Sequence, residues 1–435
     1  MDDPQVIEAL VEEAFVYAYP LVAVARTRYR AIHDPGNPQR HSPNTVLHHR
    51  QLSEPAARWI TAPNHDTLYS NAWLDLSAAP VRIRVGAMPA GRYWSVALMD
   101  AFTNHVAMLG QRLNGCGPVD VTLLGPQAAN TLGAPGSRII RAPGNDVWLF
   151  ARWLVDGKDS LAATHSMQDQ LELSAQSSIV AAGQAQPMGS ANPSSFLAVV
   201  NEALARNPPP AADAGLLGRC AAVGLRVGDT DVWSSLDAGT RQVWNKQFEP
   251  LHRQLRQSAQ RGRRDFQGWM AAAADIGNYG SNHALRASVA LGGLGALEPS
   301  EAMYFVRYTA DDGLPLDGHE AWVLRVPPEG IPTDSFWSFT LYAPTSDGQR
   351  VLVDNPIGRY AIGNRTHGLG YEADGSLEIA LQRTEPAERM ARANWLPTPN
   401  GPFQIALRAY LPRPALRDGL VAMPSIMRRD QPPLT

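Results

Sequence analysis

The densest group of chemically capable side chains in the sequence lies between Asn64 and Ser70. These seven residues offer an imidazole, a carboxylate, a phenol, two hydroxyls and an amide. An imidazole or a carboxylate can transfer a proton, and a phenol can assist, so His65, Asp66 and Tyr69 are the candidate catalytic residues. The alternative interpretation is a hydrogen-bonded structural face, because each buried polar group left unpaired costs about 1–3 kcal/mol.

Other side chains are candidates for holding a small-molecule ligand. Arginine can clamp a carboxylate or a sugar oxygen, and tryptophan and tyrosine present flat apolar faces to a ring. For each of them, a core position, an ion pair or a loop cap is the structural alternative. The candidates are Trp73, Arg92, Trp94, Asn104, Trp337, Tyr342, Arg359 and Arg365.

Strand geometry decides which of the candidate catalytic residues share a face. If residues 64–75 are extended, His65 and Tyr69 lie on one face and Asp66 lies on the other. His65 and Asp66 then cannot form an acid–base pair. That objection lapses if residues 63–66 form a loop before the strand.

The same geometry separates Arg92 from Asp100 on the next predicted strand. The two residues share a face, but eight residues of strand place them about 26 Å apart. We therefore expect Arg92 to form a structural ion pair with a carboxylate from another strand, such as Asp66 or Asp75.

Motifs for nucleotide, zinc-protease and serine-hydrolase chemistry are missing from the sequence. It has no phosphate-binding loop, no HExxH and no GxSxG, and its 11 histidines follow no recognised ligand spacing. The glycine-rich stretch 292–295 is interpreted as a turn. We predict no cofactor and no metal, although a metal site assembled from distant histidines stays open.

The elements that must position the candidates follow from a change in apolar period along the chain. Residues 4–31 repeat with helical spacing, and Pro20 is expected to kink or end that helix. Short alternating strands occupy residues 60–155, helical patterns occupy residues 160–290, and strands return after about residue 300. Gly and Pro, which together number 71 (36 and 35), mark the junctions, as is typical of β-sandwiches.

Composition excludes some classes of partner. The chain of 435 residues has a net charge of −3, which favours neither nucleic acid nor an anionic membrane as a partner. No apolar run approaches the ~20 residues that span a bilayer. Two cysteines, Cys116 and Cys220, make neither a disulfide framework nor a zinc site, and the sequence alone does not say whether they pair.

The N-terminal residues do not follow the pattern of a secretory signal, because acidic residues interrupt the apolar ones. The sequence as it stands therefore predicts a cytoplasmic location. A periplasmic or secreted location is expected instead if a leader was removed.

Five blocks of the sequence stand out as family motifs. They are PNHDTLYSNAWLDL at 63–76, GRYW at 91–94, FWS at 336–338, RYAIGNRT at 359–366 and NWLP at 394–397. These blocks resemble a two-part family, the domain-of-unknown-function families 1254 in the N-terminal half and 1214 in the C-terminal half. The resemblance implies an immunoglobulin-like β-sandwich domain, a helical middle domain and a C-terminal jelly-roll-like β-sandwich, and it supplies no catalytic residue.

Together these observations predict an α+β fold in four parts. The parts are an N-terminal helix at 1–40, a β-sandwich at 41–158, a helical domain at 159–300 and a jelly-roll-like β domain at 301–435. The leading functional hypothesis is a protein that acts on or binds a small molecule in an inter-domain cleft, as a cofactor-independent hydrolase or lyase if it is an enzyme. The alternatives are non-catalytic binding of a carbohydrate or other ligand, and a structural protein that forms homo-oligomers.

Overall fold

The fold is α+β, with ten α-helices and four sheets, none of them closed, in the part of the chain that the structure describes. The structure is a computed structural model, and it describes residues 3–57, 62–130, 133–157, 160–175, 192–258, 263–346 and 348–429.

The helices are short apart from three. They are α1 Pro4–Ile32, α2 Gln111–Asn114, α3 Leu161–Gln168, α4 Pro193–Arg206, α5 Ala214–Cys220, α6 Val232–Ser235, α7 Ala238–Ser258, α8 His283–Gly292, α9 Arg389–Ala393 and α10 Pro414–Arg417.

The strands fall into two groups along the chain. The first group is β1 Leu47–His49, β2 Thr67–Asp75, β3 Val81–Val85, β4 Trp94–Met99, β5 His105–Gly110, β6 Val119–Leu124, β7 Arg138–Arg141, β8 Asp146–Leu154 and β9 Leu171–Ala175. The second is β10 Arg264–Phe266, β11 Trp269–Ala271, β12 Ala302–Arg307, β13 Trp322–Val326, β14 Trp337–Pro344, β15 Arg350–Leu352, β16 Ala361–Gly363, β17 Leu377–Gln382, β18 Trp395–Pro397, β19 Gln404–Tyr410 and β20 Ser425–Arg428.

The first group of strands forms two sheets, which we call the N-terminal β-unit. One sheet has the order β1-β2-β8-β4-β5 and the other β7-β6-β3-β9. Val81, Ile83 and Val85 alternate with exposed or half-exposed arginines, so one face of β3 is apolar, as the sequence predicts. That face meets the inner face of the five-stranded sheet across a shared apolar core.

The second group also forms two sheets around one apolar core, and we call it the C-terminal β-unit. Its larger sheet has the order β10-β11-β12-β19-β14-β15, with β16 on β14, and its smaller sheet has the order β18-β17-β13-β20. Phe305, Phe339 and Leu407 turn one face of the larger sheet toward this core. The opposite face of the same sheet is turned toward the N-terminal β-unit.

The helices pack around α1, which runs unbroken through Pro20. Of the two expected effects of Pro20, ending the helix is wrong, because the helix continues for twelve more residues, to Ile32. Phe15 stacks on Phe196 of α4 at 5.4 Å, and Tyr19 contacts His252 of α7. Packing of this buried face holds the helix together where the proline removes a hydrogen bond.

Three strands lie in residues 160–290, where the sequence pattern predicts mostly helix. β9 pairs with β3 of the N-terminal β-unit, and β10 and β11 extend the larger C-terminal sheet. Each has only three to five residues, too few for an alternating pattern to stand out from a helical one. Among the described residues, no helix combines the length and the apolar character needed to cross a membrane.

Candidate functional site

A cavity of about 330 Å³ lies between the outer faces of the two β-units. One wall is the β2–β8 part of the N-terminal β-unit, the second is the β12–β19 part of the C-terminal β-unit, and α8 with the turn after it closes the third side. Its polar lining residues are Asn64, Tyr69, Arg152, Arg263, Ser288, Tyr304, Tyr308, Arg350, Gln404, Arg408 and Tyr410. The remaining lining residues are apolar or glycine.

Strand register positions the first wall. Tyr69 on β2 is directly opposite Arg152 on β8, and Asn71 is opposite Phe150, so these side chains share the outer face of the sheet. The Tyr69 ring stacks on Phe150 at 5.0 Å, Phe150 stacks on Trp148 at 4.8 Å, and Trp148 stacks on Trp73 at 5.5 Å. These four rings form a continuous aromatic ladder on the outer face of the sheet.

The second wall follows from the register of β12 and β19. Tyr304 is opposite Arg408, and Val306 is opposite Ala406. Burial raises the pKa of Tyr304 and raises that of Tyr410 further, so both phenols stay neutral hydrogen-bond donors near neutral pH. The Tyr410 hydroxyl accepts a hydrogen bond from Asn64 at 2.9 Å.

The third side depends on a glycine in the turn after α8. Gly295 has a φ of +82°, and a Cβ there would lie 3.1 Å from Trp148 and 3.2 Å from Phe150. Only glycine allows the backbone to approach the aromatic ladder so closely. The Gly295 carbonyl consequently reaches Arg152, whose Nη2 donates a hydrogen bond to it at 2.7 Å.

Arg152 is the least compensated of the cavity arginines. It is 5% exposed, and its Nη1 has no hydrogen-bond partner among the described residues. No described carboxylate forms an ion pair with it, and its guanidinium carbon lies 4.5 Å from the centre of the Phe150 ring and 5.7 Å from that of Tyr69. Burial disfavours its charge, but a guanidinium keeps its proton at any ordinary pH, so the group is a cation.

Arg408 is equally buried, at 6% exposed, but its donors are occupied. It donates to Thr340 Oγ1 at 3.0 Å, to the Ala62 carbonyl at 3.0 Å and to the Tyr342 hydroxyl at 2.6 Å. Asp66 lies close enough to favour its positive charge electrostatically. Its role is therefore to tie the loop before β2 to the larger C-terminal sheet.

The lining of the cavity has four arginines and, among the described residues, no aspartate, glutamate, histidine, cysteine or lysine. A general base of ordinary strength is therefore missing from its walls. A Ser–His contact exists nearby, with His48 Nδ1 2.7 Å from Ser70 Oγ, but Ser70 is 0% exposed and is also bonded by Trp153. Ser70 cannot reach a substrate. The geometry supports binding of an anion more directly than it supports hydrolysis.

The three predicted catalytic residues lie at the junction of the β-units, but they do not converge. Residues 63–66 form a loop, so His65 and Asp66 are free of the strand restriction. His65 Nδ1 contacts the Ser53 carbonyl at 2.7 Å, and Asp66 accepts a hydrogen bond from Ser338 at 2.6 Å. Of the three, only Tyr69 lines the cavity.

Most of the predicted aromatic ligand-binding residues are buried in the packing. Trp73, Trp94 and Trp337 are 2%, 0% and 6% exposed, and Tyr342 bonds Arg408 and the Pro63 carbonyl. None of these four lines the cavity. The amide of Asn104, the remaining non-arginine candidate, holds a turn with Asp100.

The predicted arginines have protein partners. Arg92 donates to the Leu154 carbonyl and to Thr164, so the expectation that it bonds Asp66 or Asp75 is not met. The strand begins only at Trp94, which leaves the Arg92 side chain beside α3. Arg359 donates to two carbonyls near β18. Arg365 forms an ion pair with Asp156 across the two β-units.

Sequence reasoning missed Arg152, Arg408, Tyr304 and Tyr410. The signal that identifies the two arginines is a single charge inside an otherwise apolar strand, in VWLFARWL at 147–154 and in IALRAYL at 405–411. A lone cation at such a position is buried by the strand around it, so it needs a partner. Of the glycine-rich stretch predicted to be a turn, Gly292 ends α8 and residues 293–295 belong to the turn after it, and the whole stretch lines the cavity.

Comparisons with known proteins find two family models that match parts of the chain. Residues 43–175 match the family described as "Protein of unknown function (DUF1254)", and residues 301–414 match "Protein of unknown function (DUF1214)". Each match covers less than half of the chain. The resemblance of its sequence blocks is thereby confirmed, and the DUF1254 match coincides with the N-terminal β-unit while the DUF1214 match includes most of the C-terminal β-unit.

Two solved structures were found to be similar to this chain. The crystal structure of the VPA0106 protein from Vibrio parahaemolyticus is 22% identical, covers 98% of this chain and 100% of its own, and superposes with a TM-score of 0.76. That likeness shows a shared fold. The crystal structure of an uncharacterized protein from Burkholderia cenocepacia is 15% identical with a TM-score of 0.46, over 98% of this chain and 94% of its own. The search of curated proteins gave no match.

Proposed function

We propose that this protein binds a small organic molecule in the cavity between its two β-units. The observation that carries the proposal is the cavity itself, about 330 Å³ in volume, largely apolar and lined by a few convergent polar groups. Pockets of roughly 300–1,000 Å³ with this composition are the usual form of a small-molecule site.

The position of the cavity supports the same proposal. Its walls come from residues as far apart in sequence as Tyr69 and Tyr410, so both β-units and α8 must be assembled before it exists. Small-molecule sites occur preferentially at such domain junctions. The hydrolase or lyase hypothesis has less support, because His65 and Asp66 lie outside the cavity lining.

A neutral apolar fluorophore, N-phenylnaphthylamine, tests the proposal without assuming any charge on the ligand. Its emission should rise saturably with one site per chain. Ser288→Trp, which places an indole in the cavity from α8, should abolish the response. Ala284→Trp, one turn earlier on the same helix at an exposed position, is the matched control and should leave it intact. Equal binding by both variants would refute the proposal.

The finer fold assignment is part of the same proposal. We infer that the N-terminal β-unit is immunoglobulin-like and that the C-terminal β-unit is jelly-roll-like. The support is that each consists of two sheets facing one apolar core. An experimental structure in which the strand connections of either unit differ from these folds would contradict it.

A further inference from the structure

We infer that the ligand is an organic acid with one negative charge and an apolar body, and that its acidic group binds the guanidinium of Arg152. This inference rests on the proposed function and names the chemical class of the molecule. It follows from three features of the cavity, which are an uncompensated charge, neutral donors beside it and apolar walls beyond it.

The uncompensated charge is that of Arg152. Only its Nη2 has a protein acceptor, the Gly295 carbonyl, while Nη1 has none among the described residues. An isolated buried cation loses its hydration and is strongly unfavourable unless something pairs with it. A planar guanidinium with open donors matches a carboxylate in shape and charge.

The number of negative charges on the ligand follows from comparing the four arginines that line the cavity. Arg408 has three hydrogen-bond acceptors and the nearby charge of Asp66. Arg350 donates to Gln404, and Arg263, which is only partly buried, is screened by solvent. One buried charge therefore needs one counterion. A monoanion neutralises Arg152, whereas a dianion leaves a buried negative charge of its own.

Neutral tyrosine hydroxyls complete the head-group site. Tyr304 and Tyr410 line the same cavity from the wall opposite Arg152. The Tyr304 hydroxyl is buried and has no hydrogen-bond partner among the described residues, although the Leu297 backbone lies near it. A phenol in this state can donate to the second oxygen of a carboxylate.

Apolar side chains enclose the rest of the cavity. Ile276, Leu285, Val289 and Leu294 face it from α8 and the segments beside it, and Val306 faces it from β12. These walls favour a hydrocarbon or aromatic body and disfavour a sugar or a polyacid, whose hydroxyl or acidic groups would lose their hydration. The inferred ligand is accordingly a short-chain or aromatic carboxylate.

Displacement of N-phenylnaphthylamine by octanoate and by octanol tests the inference, because the two molecules differ chiefly in charge. In the wild-type protein, octanoate should displace the fluorophore at a concentration at least about 10-fold lower than octanol, as expected for a charge-assisted hydrogen bond. Arg152→Met should remove this preference and still bind the fluorophore. Arg152→Lys should retain part of it.

The control is Arg84→Met, which removes an exposed arginine from the other sheet of the same β-unit and should keep the full preference. Equal displacement by octanoate and octanol in the wild type, or a preference that survives in Arg152→Met, overturns the inference while saturable fluorophore binding still upholds the proposed function. If the wild type shows no saturable binding, or if Ser288→Trp does not abolish that binding, the proposed function itself fails. The wild-type comparison decides between these outcomes even if Arg152→Met does not fold.

Discussion

The guanidinium carbon of Arg152 lies 4.5 Å from the centre of the Phe150 ring, two residues earlier on the same strand. A cation on an aromatic face gains about 0.5–2 kcal/mol. Leaving a buried charge without a counterion costs several kcal/mol. The ring therefore lessens the cost of burying Arg152 without removing it, and an anion bound in the cavity would relieve the remaining electrostatic penalty.

Arg152 and Arg206 should respond differently to replacement by methionine. Arg206 faces two buried carboxylates, with Asp146 at 2.5 Å and Asp75 at 3.1 Å, so Arg206→Met leaves their negative charge undercompensated. We expect it to lower the free energy of unfolding by about 3–5 kcal/mol. Arg152→Met removes a buried charge that has no carboxylate partner, so we expect the free energy of unfolding of the ligand-free protein to stay the same or to rise.

Thermal and denaturant unfolding of the two variants, with no added ligand, measures this contrast. An Arg152→Met variant as unstable as Arg206→Met would mean that the charge of Arg152 is already compensated in the free protein.

The Tyr342 hydroxyl should prove structural. It donates to the Pro63 carbonyl at 2.7 Å and accepts from Arg408 at 2.6 Å, so it joins the loop before β2 to the larger C-terminal sheet. Tyr342→Phe leaves both buried partners short of a bond and should cost about 1–3 kcal/mol of stability. Tyr371→Phe, at a residue 54% exposed, is the control and should cost nothing measurable by thermal unfolding. Loss of stability in both variants alike would contradict the assigned contacts.

The fold was largely predictable where one face of an element meets one core. β3 at Val81–Val85 and β6 at Val119–Leu124 lie in the region 60–155 that is predicted to form short strands, and every second side chain of each faces the same apolar core. Pro20 was misjudged because its local effect is outweighed by packing of α1 against α4 and α7. Strands such as β10, with three residues, take their conformation from the neighbouring strand and leave too little pattern in the sequence.

The site was less predictable, because no local pattern brings its parts together. Tyr69 was a candidate from its place in a polar stretch, and it does line the cavity. Its partners on the opposite wall, Tyr304 and Arg408, come more than 200 residues later and meet it only when the outer faces of two sheets pack. Local sequence density favoured His65 and Asp66 instead, and the contacts these two residues make are with Ser53 and Ser338.

His48 should make the protein less stable on mild acidification. Burial, followed by the nearby charge of Arg50, lowers the pKa of His48 to about 4. As the pH falls, His48 therefore takes up a proton in the unfolded chain at a higher pH than in the folded protein. The contribution of His48 to the free energy of unfolding decreases between about pH 6.5 and pH 4 and stays constant below that. His48→Gln should remove about 2–3 kcal/mol of this pH-dependent loss, allowing for partial exposure.

Unfolding midpoints of the wild type and His48→Gln between about pH 7.5 and pH 4 give the comparison. The difference near pH 7.5, where His48 is neutral in both folded and unfolded chains, isolates the loss of its contact with Ser70. Parallel curves over the whole range would show that the folded protein protonates His48 as readily as the unfolded chain.

The two cysteines should differ sharply in reactivity toward iodoacetamide. Both are free thiols, Cys116 being exposed and Cys220 buried. Burial, with the nearby charge of Glu13, raises the pKa of Cys220 to about 12, so almost no thiolate forms there at neutral pH. Mass spectrometry should find one label per folded chain, on Cys116, and two after denaturation. Labelling of Cys220 in the folded protein would contradict the packing of α1 on α5.

Gly295 and Gly313 offer a matched test of how rigid the cavity wall is. Both have positive φ, +82° and +84°, so an alanine at either position is strained by about the same amount, roughly 1 kcal/mol. At Gly313 an added Cβ meets nothing within 4 Å, whereas at Gly295 it lies 3.1 Å from Trp148. The difference between the two variants therefore isolates the contact with the aromatic ladder.

Gly295→Ala should lose about 1–3 kcal/mol more stability than Gly313→Ala, because the stacked rings of Trp148 and Phe150 cannot move apart without disturbing Tyr69. It should also weaken binding of N-phenylnaphthylamine, since the turn that carries the Arg152 acceptor is pushed away from the wall. Gly313→Ala should bind the fluorophore as the wild type does. If the two variants lose equal stability and bind the fluorophore equally well, the ladder yields to the extra methyl group, and the cavity owes its shape to something other than this close approach.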